Sequence, residues 1–181
     1  MKGIYILAIN DAYRIAPGAD LCYFADSEWW NWHKAKPDFI SFTGEKCSIQ
    51  NSGMNIEDGA VHLLRNKNFP ANGTGLSLDP EYLVTGGNSG YQALNLAVLA
   101  GAATIILLGY DGREPAKGKP THWFGDHPRR EPDSVFALYR KSFKDGAKAI
   151  KAAGVRVINC SPDSAVDAFE KMELEQALNL S

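Results

Sequence analysis

The sequence predicts an α/β protein: one three-layer Rossmann-like domain over residues 1–181, with a mostly parallel sheet. Two observations carry this. From Val84 onward the chain reads helix, strand, helix, strand. Its strand candidates are continuously apolar rather than alternating, the pattern of strands buried on both faces by flanking helices.

The elements follow in order. Ile4–Ile9 is a buried strand that stops at Asn10 and Asp11. Ala12–Pro17 is a short turn or a single helical turn. Leu21–Ala25 is a second strand stopping at Asp26, and Ser27 opens a helix through "SEWWNWHK". "PDFISFTG" reads as a third strand. Between Gly44 and Pro80 short apolar pieces such as "VHLLRN" alternate with loop residues. Asn88 or Ser89 caps a helix running to about Ala100, and Gly101 stands where a left-handed residue ends it. Ala103–Leu108 is the strongest strand. Residues 112–133 form a long polar loop rich in Gly, Pro and His. Ser134–Ala153 is a helix, with Val135, Leu138, Phe143 and Ile150 as candidate buried positions. Val155–Ile158 is a last strand ending in "NCSP", and a short helix covers Lys171–Leu178.

Bulk properties narrow the function classes. Hydrophobic residues make up 45% and charged residues 22%, with a formal net charge of −2. No basic field is present to hold nucleic acid or an anionic membrane. No apolar run reaches the length of a transmembrane helix. Cys22, Cys47 and Cys160 are an odd count without a CxxC pair, which argues against a disulfide framework and for a reducing, cytoplasmic setting. The opening "MKGIYILAINDAY" does not read as a signal peptide.

In a parallel sheet, ligands gather at the carboxyl ends of strands. Asn10, Asp26, Asp111 and Asn159 each stand where a strand has just ended. In "VTGGNSGYQALNL", Gly86, Gly87 and Gly90 open the backbone to close approach, and the first N–H groups of the following helix suit an anion. The alternative is a plain strand-to-helix turn with Asn88 as an ordinary cap. Asp111 is placed to bind a ribose hydroxyl, hold a metal or act as a base; as a "DG" dipeptide it is also a plain turn former. Asp26 is either a ligand group or the cap of the next helix. "THWFGDHP" sets His122 and His127 around Asp126 as candidate general bases or metal ligands, the alternative being a loop packed by its aromatics. Trp29, Trp30 and Trp32 cannot share one helix face; at least one belongs to the core, and another is a candidate stacking platform. His33 reads as an exposed helical residue, and Cys22 and Cys160 as small core residues.

"AINDAYRIAPGADLCYFADSEWWNWH", "GGNSGYQALNLAVLAGAATIILLGYDG", "THWFGDHP" and "VINCSPDSA" together resemble a family of phage and prophage proteins. That family is similar to the Rossmann-like domain of archaeal hydroxymethylpterin diphosphokinases (MptE-like) and, more distantly, to bacterial sialyltransferases. The resemblance implies a nucleotide or nucleotide-sugar donor at Gly86, Gly87, Asn88, Ser89 and Gly90, with Asn10, Asp26 and Asp111 around it. It implies a loop histidine, His127 or His122, as catalytic base. Mg²⁺ or Mn²⁺ are candidate ions for a donor of this kind. Members of the family usually open with a further strand ending in a "GGGPS"-like turn, whereas this sequence opens on the strand that carries Asn10. Two functions are therefore expected in competition. One is a nucleotide-dependent transferase moving a glycosyl or diphosphate group in the cytoplasm of a bacterial host. The other is a non-catalytic phage accessory protein that binds a ligand or a host protein. The strand-end polar residues favour the first, and the missing opening strand favours the second.

Overall fold

The computed structural model describes residues 3–50, 54, 56, 59–67, 73–113 and 134–180. Five strands form one sheet in the order β1 (Leu7–Ile9), β2 (Leu21–Phe24), β3 (Glu45–Ile49), β4 (His62–Asn66) and β5 (Tyr82–Leu83). Every neighbouring pair is parallel, with registers such as Ala8↔Cys22 and Cys22↔Lys46. A second sheet holds β6 (Thr104–Leu107), β7 (Arg156–Asn159) and β8 (Glu170–Lys171), again all parallel. The architecture is the expected Rossmann-like α/β arrangement.

Side-chain alternation in the strands decides what covers each face. From β1 and β2, Leu7, Ile9, Leu21 and Tyr23 point to one side and pack with Ala93, Leu96 and Leu99 of α3 (Ser89–Leu99). Ala8, Cys22 and Phe24 point to the other side, into an aromatic layer that includes Trp29, Trp30, Phe39 and Phe42. The second sheet repeats the pattern. Ile105, Leu107 and Val157 meet Tyr91 and Leu94 of α3 and Phe143 and Ile150 of α4 (Ser134–Ala152). Ile158 and Cys160 pack with Ala177 of α5 (Leu174–Leu178) on the far face. Helix α3 thus lies against both sheets, with Tyr91 and Leu94 on one stripe and Ala93 and Leu96 on the next. A helix apolar on most of its surface is a buried helix.

Four expectations need correction. The first strand is Leu7–Ile9 alone, and Ile4, Tyr5 and Ile6 before it are exposed rather than buried, because no element of the described residues covers them. "PDFISFTG" is not a strand: Pro37–Ile40 is a short helix, α2, with Pro37 in its first turn. Proline's fixed φ suits a helix start, and Phe39 and Phe42, three residues apart, both face the aromatic core. Leu138 of α4 is exposed, although Phe143 and Ile150 are buried as expected. His33 is buried at 3% exposure in α1 (Ser27–His33), because the chain after β1 brings Asp11 beneath it.

Candidate functional site at the carboxyl edge

Strand β1 ends at Ile9, and the chain turns at once into a 3-10 helix, Asn10–Arg14. The turn puts Asn10 at φ +51°, the one positive φ at a non-glycine position among the described residues. Asparagine tolerates this left-handed conformation better than most L residues, yet it carries a cost. The Asn10 Oδ1 is buried and has no hydrogen-bond partner among the described residues. Strain and an unsatisfied acceptor at one strand end mark Asn10 as a candidate ligand contact.

The turn before α3 is firmly held. Gly86 (φ +53°) and Gly87 (φ +75°) both adopt left-handed backbone. A Cβ on Gly86 would stand 2.3 Å from the Tyr91 ring. The Gly86 N–H donates to the Gly73 carbonyl at 2.9 Å, and the Ser142 hydroxyl of α4 donates to the Gly86 carbonyl at 2.6 Å. Asn88 caps α3: its Oδ1 accepts from the Tyr91 N–H at 2.7 Å, and its Nδ2 donates to the Gly86 carbonyl at 3.3 Å. The capping reading of Asn88 therefore holds, alongside the positive end of an 11-residue helix. Ser89 and Gly90 form its first turn and are partly exposed.

Strand β6 delivers its end to the same place. The Tyr110 hydroxyl donates to the Gly90 carbonyl at 3.1 Å, and a Cβ on Gly90 would lie 3.0 Å from the Tyr110 ring. Burial pushes the Tyr110 phenol well above its ordinary pKa, so it remains a neutral donor. Asp111, the next residue, is exposed, and its backbone carbonyl accepts from the Ala165 N–H at 2.7 Å. The loop after β7 holds this end in place. Ser161 Oγ accepts from the Tyr110 N–H at 3.0 Å, Ser164 Oγ donates to the Tyr110 carbonyl at 2.5 Å, and Asn159 Nδ2 donates to Ser164 Oγ at 2.9 Å. The polar residues of "NCSPDS" thus orient Tyr110 and Asp111. Sequence reasoning singled out Asn159, whose own partners are the nearby Ser161, Ser164 and Val166, but could not see that Ser161 and Ser164 hold Tyr110, 51 and 54 residues away.

The structure brings Gly90 and Tyr110 into contact, with the exposed Asp111 next in the chain. Asn10 follows the carboxyl end of β1, whose Ile9 packs in the same core cluster as Ala93 of α3. Asp26 ends its strand in the same direction, and its carboxylate caps α1 by accepting the Glu28 N–H at 2.8 Å. His122 and His127 lie outside the described residues. Among the described residues no group of three or more His, Cys, Asp or Glu side chains is arranged to hold a metal.

One buried cluster was missed at the sequence level. Asp11 accepts from Trp29 Nε1 at 2.8 Å and sits 3.2 Å from His33 Nε2. His33 Nδ1 lies 2.9 Å from the Trp29 carbonyl, and Lys36 Nζ lies 3.0 Å from His33 Nε2. Burial alone would raise the Asp11 pKa, but the hydrogen bonds from His33 and Trp29 prevail and lower it to about 2. The only signal in the sequence was an acid at a strand end and an indole–imidazole pair four apart on a helix. Cys22 and Cys47 are buried thiols pushed up to about 12 by desolvation and are unreactive core residues.

Comparison of the chain with family models, with curated proteins and with solved structures finds no match. The class that fold and site define is accordingly structural: a parallel α/β domain with a polar carboxyl edge built from Asn10, the α3 start and Asp111. No helix among the described residues is long and apolar enough to cross a membrane.

Proposed function

We propose that the protein binds a nucleotide-type small molecule at this carboxyl edge and acts as a nucleotide-dependent transferase of a glycosyl or diphosphate group. The observation that carries the reading is Asn10, whose left-handed backbone and unpartnered buried oxygen persist at a strand end beside a helix start. A ligand hydroxyl or amino group would supply the missing donor. The positive end of α3 at Gly86–Gly90 would hold the anionic part of the donor molecule, and Asp111 its ribose or a Mg²⁺ or Mn²⁺ ion. His127 or His122 would take the proton of the acceptor hydroxyl. The sequence resemblance to phage proteins and to diphosphokinases supports transfer rather than binding alone.

A thermal-shift screen against nucleotides and nucleotide-sugars, with and without Mg²⁺ or Mn²⁺, tests the binding. A ligand at about 100 times its dissociation constant should add roughly 2.7 kcal/mol of stability. A full screen that leaves the melting temperature unmoved would sink the reading.

One observation favours a second reading, the non-catalytic accessory protein. Ile4, Tyr5 and Ile6, which lead into β1, are exposed, with Tyr5 at 56%. An apolar run at a sheet margin suits contact with another protein. Turnover of the bound nucleotide separates the two, because the accessory reading requires none.

A further inference from the structure

The face of the five-stranded sheet opposite α3 carries a concavity away from the carboxyl edge. A cavity of about 450 Å³ opens between the 3-10 helix, the chain leading into β2, and α2. That volume lies within the range of small-molecule sites. Its apolar wall is Ile15, Pro17 and Phe42, and its polar groups include Tyr13, Arg14 and Asp38.

Tyr13 is the unexplained residue there. It is 2% exposed, and its ring is fixed edge-on against Trp29, Phe39 and Phe42. Its hydroxyl is buried and completes no hydrogen bond among the described residues, and the acceptor it faces is the Asp38 carboxylate at the cavity mouth. An unmet phenol in a core is costly, and substituting phenylalanine would remove the cost. Burial and the neighbouring Asp38 carboxylate push the phenol well above its ordinary pKa, so it is a neutral donor.

The mouth of the cavity holds both signs of charge, loosely paired. Arg14 Nε stands 3.6 Å from an Asp38 oxygen, and Arg14 NH1 stands 3.4 Å from Asp11. Charge-assisted hydrogen bonds are normally near 2.7–2.9 Å, so neither carboxylate saturates the guanidinium. The Arg14 and Asp38 side chains are 43% and 48% exposed. A lone anion at Arg14 would face Asp38, and a lone cation at Asp38 would face Arg14. A molecule carrying both charges a few ångströms apart meets neither repulsion.

We propose that this cavity binds a small zwitterion, a free α-amino acid with an apolar side chain. Its carboxylate meets Arg14 and accepts from the Tyr13 hydroxyl, its ammonium meets Asp38, and its side chain lies against Ile15, Pro17 and Phe42. The cavity shares no lining residue with Asn10, Gly86–Gly90 or Asp111, so its occupancy is read separately from the transferase reading.

The test is an amide chemical-shift titration of the full chain with L-phenylalanine, 3-phenylpropionate and 2-phenylethylamine. The last two keep the ring and one charge each. L-Phenylalanine should shift Tyr13, Arg14, Ile15 and Phe42, and each analogue should bind at least about 10-fold more weakly. Tyr13→Phe, which keeps the ring, should weaken L-phenylalanine about 5-fold. Asp38→Asn, at an exposed position, should weaken L-phenylalanine and 2-phenylethylamine but not 3-phenylpropionate. The proposal is overturned if L-phenylalanine at about 10 mM shifts none of these amides. It is equally overturned if either analogue binds as tightly, or if Asp38→Asn leaves L-phenylalanine affinity unchanged.

Discussion

Asn10 and Asp11 are adjacent and do opposite things. Asn10 holds a left-handed backbone and an unmet oxygen, so it weakens the free protein. Asn10→Gly removes both penalties and should raise stability by about 1 kcal/mol in urea unfolding, despite glycine's extra unfolded-state entropy. The same change should weaken any nucleotide-type ligand, and a variant both destabilised and still binding would contradict the assignment. Asp11 is fully engaged instead. Its folded pKa, about 2, lies below the unfolded value near 3.9. A depressed carboxylate stabilises the fold above the unfolded value, and that contribution is lost as pH falls through the folded one. Asp11→Asn should therefore cost on the order of 2 kcal/mol at pH 6, and its gap from the natural chain should close between roughly pH 4 and pH 2. Unfolding curves of both proteins across that range check the sign.

At the scale of elements, the turn into α3 is the best-determined feature. Gly86→Ala meets both a positive φ and the Tyr91 ring, and should cost at least about 2 kcal/mol. Ser142→Ala removes the hydroxyl that reaches the Gly86 carbonyl and, within α4, the Leu138 carbonyl, and should cost about 1 kcal/mol while leaving α4 intact by circular dichroism. Equal costs for the two would mean that the Tyr91 contact is not what requires glycine. This turn was legible in the sequence, because two glycines, a capping asparagine and an apolar helix are local signals. The strand before Asp111 was legible for the same reason. Misread was "PDFISFTG", where phenylalanine and isoleucine suggested a strand although Pro37 fits the first turn of a helix. His33 was misread because its burial depends on Asp11, 22 residues away, and no local pattern carries that contact. The Tyr110 clamp by Ser161 and Ser164 escaped for the same reason.

At the scale of the molecule, α3 is the shared wall between two parallel sheets, and its first turn sits where β1 and β6 end. Such a carboxyl edge is where an α/β fold places a ligand, because strand ends and a helix dipole converge there. The most direct test maps amide shifts of the full chain on adding the nucleotide or nucleotide-sugar that gives the largest thermal shift. The account predicts changes concentrated at Asn10, Gly86–Tyr91 and Tyr110–Gly112. Changes confined instead to the opposite strand ends, around Gly44, Gly101 and Gly154, would contradict it.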